Sequence, residues 1–551
     1  MSRAVISASL VLALLAPLSA HTQNAGAPPM RITTDEIDAH LRFLASDLLE
    51  GRAPGTRGGR LAAEYIASQL EAFGIKPGAS DSSYFQKVPI DIVTADPKTI
   101  SVKASGKATA SLLYTDDVVV WAGSATPASS ASGELVFVGY GDAAPEYKWD
   151  DFKGVDVRGK WLLVLVNDPP APASEPNLFG GPAMTYYGRW TYKYEEAERR
   201  GAAGMLIVHT TDRAGYPWHV VVNSNAGTHR LLPRAAASPA PIGVRGWITD
   251  SAATSLLAQA GLNMQDLHRQ AESRSFKPVA TGINIDASFT NKVEHLQTEN
   301  VIGVIPGIDP KVRDQYVVYS AHWDHFGIGI PVNGDSIYNG AADNASGVAT
   351  ILTIAHTAAE GIKPRRSQMF VFVTAEESGL LGSEYFGMHP PVPATKIIAA
   401  LNVDNPRLIG RFRTLEVLGE NKSSLGPALA AVVRGDHVTL APEAHPEQGH
   451  FYRSDHFSFA KVGIPAVDIK GGLDIVGRPA GWGLQQAEDY TAHRYHQPSD
   501  EYRPGLDLTG AAQLAEIVYR FGFATANADR IPTWNADAEF RAAREAALRA
   551  K

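Results

Sequence analysis

Three segments, VVYSAHWDH (residues 317–325), NGAADNASG (339–347) and FVFVTAEESGLLGSEYF (370–386), decide how this chain is read, because each joins an apolar run to acids or histidines. In the first, Tyr316 to Ser320 is short, β-branched and aromatic, as a buried strand should be, and it runs directly into His322, Trp323 and Asp324. Side chains alternate along a strand, so His322 and Asp324 leave on the same side. An acid at that position can fix the tautomer of a metal-bound histidine, directly or through an adjacent water. Taken alone, the pattern also describes a loop histidine beside a solvated acid.

The second segment leads into Val348–Ala355, an apolar run that suits a well-buried helix. Asp343, Asn344 or Ser346 could cap its start, or Asp343 could present both carboxylate oxygens to two cations; the spacing does not separate these readings. In the third, Gln368–Val373 reads as a core strand that delivers two adjacent carboxylates, Glu376 and Glu377. Neighbours at a strand end point apart, so one could hold a metal while the other faces a water, which is the division of labour in metal hydrolysis. Glutamate is also favoured in a first helical turn, and the residues from Gly379 onward look helical. Downstream, the apolar run Ile397–Val403 ends on Asp404, and Tyr495–Asp500 places His496 in a proline turn. The set His322, Asp343, Glu377, Asp404 and His496, four of them at or just after strand ends, has ligand types that suit a pair of Zn²⁺ ions.

The motifs HWDH, GAADNASG, TAEESGLLGSE, NVD and YHQPSDE together resemble the co-catalytic dizinc exopeptidases, the aminopeptidase branch that also includes glutamate carboxypeptidases and glutaminyl cyclases. The resemblance implies an α/β fold, a mixed central sheet flanked by helices, with two Zn²⁺ per chain. By the same resemblance His322 and Asp404 bind one zinc, Glu377 and His496 the other, and Asp343 bridges them. Glu376 is then the general base acting on a water between the metals, and Asp324 supports His322. The implied activity is removal of N-terminal residues from peptide substrates.

At 551 residues the chain is too long for one ordinary domain, and length suggests about two to four. With 44% hydrophobic and 20% charged residues it has a globular composition. A net charge of −8 without a basic block argues against nucleic acid or an anionic membrane as partner. Residues 1–25 have the layout of a signal peptide: Arg3, an uncharged apolar stretch from Ala4 to Leu18, then small residues. The expected location is secreted or periplasmic. The sequence has no cysteine, so disulfides and a cysteine-linked lipid are excluded.

The first part of the peptidase domain is placed at residues 31–111. Its two amphipathic helical patterns, from Ile32 to Leu49 and from Leu61 to Gly74, flank a glycine-rich turn, Glu50–Arg60, that lacks a phosphate-loop pattern. Residues 112–290 read as a β-rich insertion, with strands near 135–141, 159–166 and 204–208 and a charged helix YKYEEAERRG. This segment resembles a protease-associated domain that covers or shapes a substrate entrance. Residues 291–530 complete the peptidase domain and carry the metal motifs, and 531–551 form a terminal helix or tail. Asp455 and His456 are read as shaping the cleft and not as ligands. Alternatives to an aminopeptidase are a metallocarboxypeptidase or dipeptidase of the same fold, a glutaminyl cyclase, or a non-catalytic binding protein. A carboxypeptidase requires a cationic pocket, for which Arg407, Arg411, Arg413 and Arg453 are candidates.

Overall fold

The strands Tyr316–His322, Ser367–Val373 and Ile397–Asn402 are buried along almost their whole length. They pair in parallel with Tyr316–His322 in the middle, so that Tyr319 lies opposite Phe370 on one side and Leu401 on the other. Near-continuous apolar strands of this kind need cover on both faces. The structure is a computed structural model that describes residues 32–234 and 239–550, so the expected signal peptide lies outside the described residues.

The sheet grows outward from these three strands. Ile397–Asn402 pairs in parallel with Ala466–Gly471, which pairs antiparallel with Thr414–Leu418, itself parallel to Thr439–Ala441. On the other side Ser367–Val373 meets residues 301–305 of a 27-residue strand, Val279–Ile305, in antiparallel register. The result is the expected mixed α/β sheet. One face is covered by the helices Thr34–Leu44, Arg57–Ala72, Ser346–Glu360 and Thr509–Asn527, whose Ile37, Ile66, Ile351 and Leu514 join Tyr319 and Leu401 in the main core. The short helices Leu381–Met388 and His456–Lys461 cover the other face, packing Phe386 and Phe459 on Val318, Met369 and Val371.

The strand Val279–Ile305 serves two sheets. Its residues 284–288 lie between Ser101–Ser105 and Ala128–Phe137. Beyond Ala128–Phe137 come Trp161–Leu165, Gly204–His209 and Val244–Thr249, all parallel, and then Val118–Ala122, antiparallel. Burial alternates residue by residue from Thr281 to Thr290, so residue 290 lies inside a regular strand. The hairpin formed by Gly327–Val332 and Asp335–Tyr338, and the helix Trp482–His493, have no counterpart in the sequence reading.

Because the three central strands are parallel, their carboxyl ends share one edge of the sheet. Loops leaving that edge are where ligands of open α/β sheets bind. Elsewhere small residues let backbones approach closely. A Cβ at Gly58 would lie 1.8 Å from the Leu49 carbonyl oxygen, and one at Gly59 would lie 2.2 Å from that of Ala53.

The long C-terminal helix crosses the sheet at Gly522, where a Cβ would lie 2.0 Å from the phenolic oxygen of Tyr319. That oxygen accepts a hydrogen bond from Gln368 Nε2 at 2.9 Å. Overpacking a core typically costs about 1–3 kcal/mol, so Gly522→Ala should lower the calorimetric unfolding midpoint by a few degrees while leaving the secondary-structure content unchanged.

Candidate metal centre

Each candidate ligand sits where a strand or helix stops. His322 is the last residue of its strand; Glu376 and Glu377 follow Ser367–Val373 after a turn with Ala375 at φ 54°; Asp404 lies two residues past Ile397–Asn402. Asp343 precedes the helix Ser346–Glu360 and does not cap it. Asn344 has that task, with Oδ1 accepting from Gly347 N at 2.9 Å. His496 arrives from a loop, at φ 58°, with its ring stacked on Tyr495 at 3.6 Å between centroids.

The structure brings all seven sequence-predicted residues to one edge. Asp343 Oδ1 lies 3.2 Å from His322 Nε2, and Asp404 Oδ1 lies 3.4 Å from the same nitrogen. Asp343 Oδ2 lies 3.3 Å from His496 Nε2, which is 3.2 Å from Glu377 Oε2. Zinc–nitrogen and zinc–oxygen bonds are about 2.0–2.2 Å, and two such ligands on a tetrahedral ion lie about 3.3 Å apart. The observed separations match that spacing, and His322 Nε2 and His496 Nε2 are buried without a hydrogen-bond partner. The nitrogen and oxygen donors therefore fit zinc. His322, Asp343 and Asp404 form one group able to hold an ion, and His322, Glu376 and Glu377 form another.

The electrostatics are those of a site short of positive charge. Burial alone would push His322 down, but Glu376 and the carboxylates of Asp324, Asp343 and Asp404 hold it well above the ordinary histidine range. Burial, reinforced by neighbouring carboxylates, pushes Glu376 and Glu377 well up. Burial would also raise Asp343, yet the His322 and His496 rings beside its two carboxylate oxygens hold it well below the usual range.

The expected support of His322 by Asp324 takes an indirect form. Asp324 Oδ1 is 3.7 Å from His322 Nδ1, and the nearer oxygen is the Asp324 carbonyl at 3.3 Å. Asp324 Oδ1 instead accepts from Glu376 N at 3.0 Å, which ties the two loops together. Asp455 and His456 are buried at the same edge. Burial raises the Asp455 carboxyl to about 7 and lowers His456 to about 3, with the His456 ring set edge-on to Phe451.

Several contributors escape the sequence reading. His325, the last letter of HWDH, is buried with Nδ1 2.6 Å from Glu377 Oε1, and it groups with Asp343 and Glu377 as possible ligands. Asp500 accepts from the backbone N–H groups of Ala342 and Asp343 at 3.0 and 3.1 Å and so fixes the Asp343 turn. Ser454 Oγ donates to Asp404 Oδ2 at 2.7 Å.

Most consequential is Arg52, in the turn read as merely glycine-rich. It is 1% exposed and donates to the carbonyls of Trp323 (2.8 Å), Leu44 (2.6 Å), Asn339 (2.5 Å) and Gly340 (2.9 Å). It thereby joins the loop after His322 to the loop before Asp343. Burial lowers its guanidinium to about 10, against the upward pull of Asp324, Asp500, Asp343 and Glu377. Only a charged, branched donor could hold four carbonyls at this point, and no local pattern signals that role.

Residues 300–522 match the family model described as Peptidase family M28. The chain is 35% identical over 111 residues to Aminopeptidase NAALADL1 of Rattus norvegicus, a match that spans 19% of this chain and 13% of that protein. It is 23% identical over 502 residues to the probable lipoprotein aminopeptidase LpqL of Mycobacterium tuberculosis, covering 87% of this chain and 83% of that one. Among solved structures, an aminopeptidase from Aneurinibacillus sp. strain AM-1 aligns with a TM-score of 0.47 at 19% identity, over 90% of this chain and 94% of that one.

Replacing Arg52 by Met would leave buried carbonyls without a donor, and each buried acceptor left unsatisfied typically costs about 1–3 kcal/mol. Arg52→Met should therefore lower both the unfolding midpoint and the Zn²⁺ affinity measured by chelator competition. An unchanged Zn²⁺ affinity would mean that the two loops are held by other contacts.

Proposed function

We propose that this chain is a zinc-dependent exopeptidase that removes N-terminal residues from peptides. The observation that carries the reading is the placement of Asp343, whose two carboxylate oxygens face two separate donor pairs, His322 with Asp404 and His496 with Glu377. In this reading the pairs hold two zinc ions with Asp343 between them. Zinc, when bound, supplies Lewis-acid polarisation of the scissile carbonyl.

The chain's own side chains do the rest. Glu376 lies beside His322 without belonging to either pair, and its half-buried carboxylate takes the proton of the attacking water and returns it to the departing amine. Asp324 holds the Glu376 turn through its backbone N–H, Ser454 orients Asp404, and Asp500 holds the backbone at Asp343. His325 fixes the oxygen of Glu377 that points away from His496.

The second sheet is the inserted protease-associated domain in this reading. Its segment around Met184 and Tyr186 lies against residues 446–452, with Met184 N donating to the Pro446 carbonyl at 3.0 Å and the Tyr186 and Tyr452 rings 6.2 Å apart. In this reading the insertion packs against the peptidase domain and is not a remote appendage. Export to the periplasm or the medium rests on the signal-like first 25 residues. No described helix is long and apolar enough to cross a membrane.

Glu376→Gln should bind Zn²⁺ as the unaltered protein does and lose about 10²–10⁴-fold in kcat on an aminoacyl anilide. Asp343→Ala should lose Zn²⁺ itself, as read by metal analysis after gel filtration. N-acetylation of a short peptide should abolish release of its first residue. Zinc-dependent cleavage that survives acetylation would replace the aminopeptidase reading with an endopeptidase or carboxypeptidase one.

A further inference from the structure

Between the loop that carries His322 and the loop that carries Asp343 the chain makes a hairpin, Gly327–Val332 with Asp335–Tyr338, that the metal centre does not use. Both of its feet are fixed. Arg52 donates to the Trp323 carbonyl before the hairpin and to the Asn339 and Gly340 carbonyls after it. A Cβ at Gly51, whose φ is 69°, would lie 2.4 Å from the Tyr338 carbonyl oxygen and 2.7 Å from that of Gly327. The turn beside Arg52 thus closes against the first residue of one strand and the last of the other. A two-stranded hairpin is marginal by itself in water, and this one is held as an extension of the metal edge.

The two faces of the hairpin differ. Tyr338 occupies one: a Cβ at Gly329 would lie 2.6 Å from its ring, and its hydroxyl donates to the Ile330 carbonyl at 3.0 Å. Side chains alternate along a strand, so Ile328 and Ile330 point to the opposite face, where Ile328 lies across from Ile337. Ile328 is 63% exposed and Ile330 is 82% exposed. Single exposed aliphatic residues are ordinary, but neighbouring ones on one face beside a polar site mark a place of interaction. From Gly327 to Tyr338 the only charged residue is Asp335, beside the turn at the tip. At its foot the strip reaches the metal centre. Phe326, the exposed residue before the first strand, sets its ring edge-on to His496 at 4.7 Å and to His325 at 5.0 Å between centroids.

A strip that starts at a candidate metal ligand and leads outward suits an occupant that is itself held at the metal centre. A second copy of the protein or a lipid surface would need no such continuity. Along a strand, residues 326 to 330 span about 13 Å, the length of about four extended peptide residues. One side chain at the end of a peptide cannot cover that distance, whereas the chain beyond the cleaved bond can. We propose that the outer face of this hairpin, Ile328 and Ile330 with Phe326 at its foot, docks apolar side chains in the departing part of the substrate, so that the enzyme selects peptides of about four or more residues with apolar residues after the first. The hairpin supplies contact area and takes no part in the hydrolysis itself. The direction of the bound chain rests on the exopeptidase reading above; the demand for an apolar peptide does not.

The test uses an aminoacyl anilide and two pentapeptides that differ only at the third and fifth positions, leucine in one and serine in the other. The unaltered enzyme should favour the leucine peptide by about tenfold in kcat/KM, since partial burial of one or two aliphatic side chains is worth that much. Ile328→Ser combined with Ile330→Ser should erase this preference and leave turnover of the anilide and the serine peptide unchanged. Both positions are exposed, so the double variant should fold as the unaltered protein does. Ile330→Ser alone should reduce the preference, and Ile330→Val should keep most of it. No preference in the unaltered enzyme, or one that survives the double substitution, overturns the proposal; sedimentation velocity and vesicle flotation then tell whether a second copy or a lipid surface covers the strip instead. If neither the anilide nor the peptides are cleaved, the exopeptidase reading falls and calorimetric titration with the two pentapeptides decides alone. Tighter binding of the leucine peptide, lost in the double variant, supports docking on the hairpin, and equal binding of the two overturns it.

Discussion

Mutual repulsion among Asp324, Asp343, Glu376, Glu377 and Asp404, gathered within one buried edge of a sheet, is the constraint on which the rest of this structure depends. Carboxylates taken out of water repel each other strongly, and neither solvent nor hydrogen bonds alone can offset that. The fold answers from below with Arg52 and from within with His322, and it leaves the remaining deficit at the mouth, where buried nitrogens and oxygens lack partners. The same deficit that makes the bare edge unfavourable makes it attract divalent cations.

The scaffold that tolerates this concentration is conventional. Parallel strands with nearly all-apolar sequences deliver loops to a common edge, and covering helices keep water away from the walls. The specific requirement falls on the loops. Asp500 holds the backbone of Ala342 and Asp343, Asn344 holds the next turn, and Asp324 holds Glu376, so each loop is fixed by a side chain from another segment. Asp343 and Glu376 are thus positioned through their backbone N–H groups, and their carboxylates are left to face the histidines.

Much of this was legible before any coordinates, for a physical reason. A buried parallel strand needs a continuous apolar run, so Val317–Ser320, Met369–Val373 and Ile397–Leu401 stand out, and an acid or histidine directly after such a run marks the functional edge. His325 was quoted within a motif and given no task, because its contact to Glu377 depends on how two loops meet. Arg52 was passed over because its four acceptors are backbone carbonyls, which carry no residue signature, and two of them lie some 290 positions away. The length of the strand Val279–Ile305 is not legible because strands average about 5–6 residues, and its alternation gives no hint that its partners change midway.

That long strand carries an evolutionary and mechanical consequence. Its residues 284–288 are stitched into the second sheet, while 291–301 pair with Phe85–Ala95 and 301–305 with the strand that leads to Glu376. The two lobes therefore share one continuous beam, with no flexible tether at this junction. Twisting one sheet torques the other along the backbone, so the two keep their relative bearing through covalent stiffness as well as surface contact. A lineage that lost the second sheet would also have to end this strand elsewhere.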